Sequence, residues 1–188
     1  MRKIPTVLVR DPDDRKHVLP EVTPGCEWVL AGEGTPTRKY DGTCVMLDED
    51  GQWWARRQVK PGQARPRGFR VVESDPVTNK AFGWEPMEQS AFAKWHAEAL
   101  HPGESATPSR VPGTYELCGP KINGNPEGFN RHVLVPHEYA MELRSILDLD
   151  TPEELISFAR WAGEEGYEGI VWHHPDGRMA KLKARDVR

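Results

Sequence analysis

EGIVWHHPDGRMAKLKA, residues 168–184, reads as two short strands around a turn. The first half, EGIVWHH (168–174), is rich in β-branched and aromatic residues. Pro175-Asp176-Gly177 carries turn chemistry, and RMAKLKA (178–184) alternates in the manner of a half-buried strand. That alternation sets Lys181 and Lys183 on one face. If the turn closes with His174 opposite Gly177, Glu168 faces Lys183 and Ile170 faces Lys181, so an acid and two amines share a surface. A bulge at Gly177 would shift the register by one and separate them. Two lysines side by side on a sheet repel each other unless an anion lies between or above them, and a phosphate group satisfies both.

Working outward, CVML (44–47), the turn DEDG (48–51) and QWWARRQV (52–59) form a second hairpin. TVLV (6–9), TYELC (114–118) and HVLVP (132–136) read as further strands. Thr151-Pro152-Glu153-Glu154 is a capping-box helix start with proline at the first helical position. Leu155, Phe158, Ala159 and Ala162 continue it as an apolar stripe until Gly163 and Gly166. A second helix is predicted over about 86–100, with Phe92, Trp95, His96 and Ala99 on one face, and 101–113 is loop by composition. Strands, hairpin turns and few helices without βαβ alternation define an α+β fold of antiparallel sheets flanked by a few helices. The expected organisation is one domain over 1–188 with a helical and loop insertion at 79–113.

The net charge of −4 and pI near 6.0 exclude a protein that coats nucleic acid by bulk charge. The cations are unevenly spread. Arg56, Arg57, Lys60, Arg65, Arg67 and Arg70 follow one another with no acid between them, and the last eleven residues hold five cations against one acid. Basic patches on an acidic body suit a polyanionic substrate held at one place. No apolar run is long enough to span a bilayer, and the start MRKIPTVLVRDPDD lacks the apolar core of a signal peptide, so the expected location is cytoplasmic and non-membrane. Cys26, Cys44 and Cys118 form neither a disulfide framework nor a zinc motif. His173 and His174 are adjacent strand residues that point to opposite faces, so they are a poor metal pair. The seven tryptophans read as packing residues, not as base-stacking platforms.

RKYDGT, residues 38–43, places Lys39 two residues before Asp41-Gly42. A free lysine amine is protonated at neutral pH and becomes a nucleophile only when cations, burial or a metal-bound anion favour its neutral form. A carboxylate beside it and a glycine that lets backbone approach a ligand fit such a site. Downstream, in order, come Glu116 in TYELCG, Glu168 in YEGIVW, and the KLK lysines.

KYDG, YELCGP, YEGIVW and KLK in this order resemble the nucleotidyl-transfer motifs of the covalent nucleotidyltransferase superfamily, which contains ATP-dependent RNA and DNA ligases and mRNA capping enzymes. The stretch YELCGPKINGNPEGFNRHVLVPH is most similar to small phage-type RNA ligases. The resemblance implies a nucleotidyltransferase domain of the ATP-grasp-like ligase kind. It also implies a lysyl-AMP intermediate on Lys39, with ATP and Mg²⁺ (or Mn²⁺) as cofactors. Asp41 and Gly42 complete the lysine motif, with Arg38 beside it at the nucleotide. Glu116 is implied near the ribose, Glu168 with Asp41 at the metal, and Lys181 and Lys183 at the α-phosphate. Arg56 or Arg57 occupies the place of an arginine for the nucleotide or the 5'-phosphate. Ile170 and strand 133–137 are candidates for the adenine contact. The implied partner is RNA with 5'-phosphate and 3'-hydroxyl ends, with a DNA ligase, a GTP-using capping enzyme or a non-catalytic nucleic-acid-binding relative as alternatives. Such enzymes usually continue past the KLK lysines into an OB-fold or helical domain. Five residues follow Lys183 here, so the expectation is a domain without a C-terminal OB-fold that either stands alone or has the nucleic-acid-binding part supplied by a separate protein.

Overall fold

β-Branched and aromatic runs broken by Gly, Pro and Asp punctuate the chain, and the computed structural model, which describes residues 2–101, 110–145 and 148–187, pairs them into antiparallel sheets. Among the described residues the strands are β1 (Leu8–Arg10), β2 (Val18–Val22), β3 (Thr35–Lys39), β4 (Thr43–Leu47), β5 (Trp53–Val59), β6 (Arg70–Ser74), β7 (Ala81–Pro86), β8 (Gly113–Cys118), β9 (Val133–Pro136), β10 (Gly169–His173) and β11 (Met179–Lys183). The α-helices are α1 (Ala93–Leu100) and α2 (Pro152–Glu164). The fold is α+β, as the punctuation predicts. None of the described helices is long and apolar enough to cross a membrane. The chain divides into two compact units, one of Met1–Lys3 and Asp41–Tyr139, the other of Ile4–Tyr40 and Ala140–Arg188.

The second of these units holds the sheet β11-β10-β3 and the small sheet β1-β2. Ile170, Trp172, Ala180 and Leu182 alternate inward from β10 and β11 onto Leu155, Phe158 and Ala159 of α2, and all are nearly or fully excluded from solvent. Each large apolar side chain buried there contributes about 1.5–3 kcal/mol. Helix α2 begins at the expected capping box: the Thr151 hydroxyl accepts from the Glu154 N–H while the Glu154 carboxylate accepts from the Thr151 N–H. Gly163 lies within the helix, not at its end. The stop is Gly166, whose φ of +77° permits the left-handed cap in which Tyr167 N–H donates to the Ala162 carbonyl. At Gly163 the helix comes so close to the turn after β11 that an added methyl group would lie 2.8 Å from the Ala184 Cβ.

The other unit is a six-stranded sheet in the order β6-β7-β5-β4-β8-β9. The expected β4-β5 hairpin is present, with Leu47 opposite Trp53. Val45, Leu47, Ala55, Tyr115 and Leu117 form the core on one face, against Ala99 of α1 and with Phe92 and Trp95 at its margin. The predicted helix over 86–100 is a correction: Ala81–Pro86 is strand β7, Met87–Gln89 a single 3-10 turn, and the α-helix starts only at Ala93. Pro86, extended at φ −52° and ψ 133°, separates strand from turn. Of the loop expected over 101–113, residues 102–109 lie outside the described residues, and Gly113 already belongs to β8.

Candidate active site

In the unit that contains β3, β10 and β11, the register sets the site. Gly169 lies opposite Lys39 on one side and Lys183 on the other, and in the next row Val171 lies between Thr37 and Lys181. Residues directly opposite across antiparallel strands share a face, so Lys39, Lys181 and Lys183 emerge together, on the face opposite the buried Ile170. Along β11 the two KLK lysines are about 7 Å apart.

This register differs by one from the expected one. His174 pairs with Arg178, not Gly177, because Gly177 takes φ +89° and closes a three-residue loop. The shift does not separate the acid from the amines, contrary to the expectation. Glu168 sits just before the strand, and its carboxylate accepts hydrogen bonds from both Lys39 Nζ and Lys183 Nζ, the latter at 2.5 Å. Gly169, the next residue, has no room for a side chain. Its φ is +152°, and an added Cβ would press on the Leu182 carbonyl and lie 2.7 Å from the Lys183 Cα.

Glu168 is 9% exposed at its side chain, and the two lysines are 18% and 19% exposed. Burial pushes the Glu168 carboxyl up, but the Lys39 charge, the hydrogen bonds from Lys183 and Lys39, and the Lys183 charge outweigh it, holding the carboxyl below its ordinary range. Lys181 stands on the same face, so three ammonium groups are gathered there, a concentration of positive charge that suits an anion. Arg38 faces the other way, where its guanidinium lies over the rings of Tyr40 and Tyr167 at 4.6 and 4.3 Å. Ile170 is fully buried in the core and presents no surface to a base. His174 is engaged by Glu33 and Asp176 at 3.0 and 2.8 Å, and no group of three or more metal-binding side chains occurs among the described residues.

The unit that contains β4 and β8 gathers a second set. Glu116, buried on β8, accepts from the Gly42 N–H at 3.2 Å with one oxygen and meets His137 Nε2 at 3.0 Å with the other. His137 Nδ1 is in turn 2.9 Å from the Thr114 hydroxyl, which fixes the ring. Gly42 has no room for a side chain: an added Cβ would lie 2.8 Å from Cys118 Sγ and 2.9 Å from Glu116 Cγ. Asp41 is held at both ends, its N–H donating to Glu127 at 2.8 Å and its carboxylate accepting from Asn123 Nδ2 at 3.0 Å. Asn123 and Glu127 were not singled out by sequence reasoning, and His137 entered only as the last residue of the 133–137 stretch. The signal nearest to them is the Asn123-Gly124-Asn125 run, whose three residues all take positive φ.

The two arginines left open by the sequence separate here. Cys44 lies opposite Glu116, and continuing the β4-β5 register sets Arg56 opposite Cys44, so Arg56 shares the face of Glu116. Arg57 points to the other face and pairs with the buried Glu85 at 3.1 Å.

Residues 109–187 match the RNA ligase 1 family. That stretch contains Glu116, Glu168, Lys181 and Lys183. The chain is 32% identical to RNA ligase 1 of Pongo abelii over 126 residues, which is 53% of this chain and 38% of that protein. RNA ligase 1 of Rattus norvegicus gives the same identity and coverage. RNA ligase 1 of Danio rerio is 35% identical over 79 residues, 37% of this chain and 22% of that protein. The matches thus span under two-fifths of the length of these relatives.

Proposed function

We propose that this chain performs the nucleotidyl-transfer chemistry of an ATP-dependent RNA ligase. In this reading the Lys39 nitrogen, after losing a proton to solvent, attacks the α-phosphorus of ATP. The bond to the leaving oxygen breaks, pyrophosphate departs with its electron pair, and AMP remains on the lysine as a phosphoramidate. The AMP then passes to an RNA 5'-phosphate, and a 3'-hydroxyl attacks the activated end, joining the strands and releasing AMP.

The observation that carries the reading is the sharing of one Glu168 carboxylate by Lys39 and Lys183. A lysine so held is oriented but not yet reactive, since an ammonium group has no lone pair. A phosphate group that approaches the lysine face offers Lys181 and Lys183 a better-charged partner than the carboxylate. Nucleotidyl transfer needs positioning and charge neutralisation above all, and these residues supply both. Glu116, with its oxygens fixed by Gly42 and His137, suits a ribose hydroxyl, and Gly42 admits only backbone close to it.

Mg²⁺ or Mn²⁺ suits the hard carboxylate oxygens of Glu168, which this reading assigns to it. When bound, the metal supplies charge neutralisation at the phosphates. The similarity to RNA ligase 1 proteins favours RNA as the substrate. Because the matches cover only part of those proteins, strand joining by the whole protein is part of the proposal.

Incubation with α-labelled ATP and Mg²⁺, followed by denaturing electrophoresis, tests the chemistry. Label stays on the wild-type protein and is absent from Lys39→Ala. Exclusive labelling by GTP overturns the choice of ATP, and strand sealing that persists in Lys39→Ala overturns the role of the lysine.

A further inference from the structure

One transverse row runs across all six strands of the larger sheet. Arg70 lies opposite Trp84, Trp84 opposite Arg56, and Glu116 opposite both Cys44 and Val135, with Arg56 and Cys44 joined by continuing the β4-β5 register. All six side chains therefore stand on the face of Glu116, opposite the apolar core. At about 4.8 Å per strand the row reaches about 19 Å from Glu116 to Arg70, with Arg56 about halfway.

The two arginines lie on aromatic supports. Arg70 sits 3.7 Å above the Trp54 ring, and Arg56 lies 5.7 Å from Trp84 and 6.0 Å from Phe82. Trp54 and Trp84 are 5% and 3% exposed, so they form a floor and do not themselves offer a stacking surface to a base. Cation–π attraction to a ring acts on the guanidinium face and is compatible with hydrogen bonding to an anion at its edge. Asp48 fixes the pose of Arg70, accepting from it at 3.2 Å and from Trp54 Nε1 at 2.8 Å. The Arg70 side chain remains 56% exposed. The nearby acid Glu73 is occupied by the Lys3 backbone N–H at 3.0 Å. The loop between β5 and β6 adds the exposed Lys60, Arg65 and Arg67.

We infer that this row is a track for single-stranded RNA, with Arg56 and Arg70 each taking a backbone phosphate. The choice of RNA rests on the ligase reading, whereas the track itself rests on the row of charges. Phosphate contacts of this kind position a strand without reading its sequence.

The test is fluorescence anisotropy of a 5'-phosphorylated, single-stranded RNA oligonucleotide with the full chain across a salt series. Arg70→Glu binds five- to twentyfold more weakly, and its slope of log affinity against log salt is shallower by about 0.7 for each phosphate no longer neutralised. Arg70→Lys keeps the wild-type slope. Arg15→Glu, the same charge change at an exposed position of the other unit, changes affinity less than twofold. If Arg70→Glu melts early, Arg70→Gln replaces it with the same two outcomes. Affinity within twofold of wild type, or a loss matched by Arg15→Glu, overturns the track. Tighter binding of a DNA strand of the same sequence overturns the assignment to RNA. Labelling by ATP without RNA is scored separately: a protein that takes no label but binds RNA through Arg70 refutes the ligase reading and leaves the track intact.

Discussion

Two glutamates, Glu168 and the buried Glu116, anchor the two halves of the candidate chemistry, and they are held in different ways. Glu168 is balanced by two full positive charges on flexible stems. Glu116 is balanced by one backbone N–H and an imidazole that is itself braced by Thr114. Ammonium partners can be given up to an incoming phosphate because their stems move. A backbone dipole cannot move without unmaking the strand, so Glu116 is a fixed receptor and Glu168 an exchangeable one.

The strongest way to break this contrast is to remove the exchangeable acid. Glu168→Ala leaves two partly buried ammonium groups without their shared counter-ion, and is expected to cost about 2–4 kcal/mol in urea denaturation. Labelling by ATP should fall more than a hundredfold, because Lys39 loses the group that orients it. Glu168→Gln keeps the shape and loses the charge, so it should recover only the packing share of the stability and little of the labelling.

Gly169→Ala comes next. Its backbone lies in a region that L side chains rarely adopt, and its added methyl group meets the Leu182 carbonyl and the Lys183 Cα. A loss of about 2–4 kcal/mol is expected, with labelling impaired even at temperatures where the variant is folded.

Acid sharpens the comparison further. The folded-state pKa of Glu168 is depressed, so its stabilisation is present above 4.5 and disappears as pH falls through the lower folded value. Elsewhere, burial first and the Arg110 charge second push His96 down from 6.5 to about 4. Its sign follows from the unfolded chain binding the extra proton first: stability is full above 6.5 and is lost as pH falls toward 4. The loss is at most about 3 kcal/mol. A pH series of denaturation midpoints should therefore show an upper acid step that His96→Leu removes and a lower one, shared with other carboxylates, that Glu168→Gln diminishes.

The smallest effect is expected at the fixed receptor. His137→Ala removes one of two partners of Glu116 and should cost about 1 kcal/mol of ATP affinity. This appears as a several-fold rise in KM with kcat little changed, and His137→Gln restores part of it. A loss of kcat equal to that of Glu168→Ala would show that the two glutamates are not held in different ways.

Local chemistry is the legible part of this chain. The Thr151 cap, the apolar stripe of α2 and the Asp50-Gly51 turn each depend on residues a few positions apart, and each forms as the sequence predicts. Strands whose signals are blurred by breakers escape such reading: β2 carries Pro20, and β7 carries Gly83 and Pro86, so its end merges into an expected helix. Gly83 is there because the Arg70 carbonyl of the neighbouring strand leaves no space for a side chain, a constraint that only the sheet reveals. The lysine pair on one face is readable from alternation. Its registration with Glu168 differs by one residue from the expected one because the handedness of Gly177 decides the loop length, and nothing in the neighbouring letters states it. The roles of His137, Asn123 and Glu127 depend on bonds to residues 21 to 86 positions away, beyond the reach of any spacing rule.

The close approach of Gly163 to Ala184 ties chemistry to a distant helix. Ala184 directly follows Lys183, so the seat of that amine is set by how tightly α2 lies against the chain beyond it. Bulk introduced at position 163 would act as a remote brake: it would shift the lysine without touching any reacting atom. Catalytic decline on warming should then track the loosening of this helix and begin before the larger sheet melts.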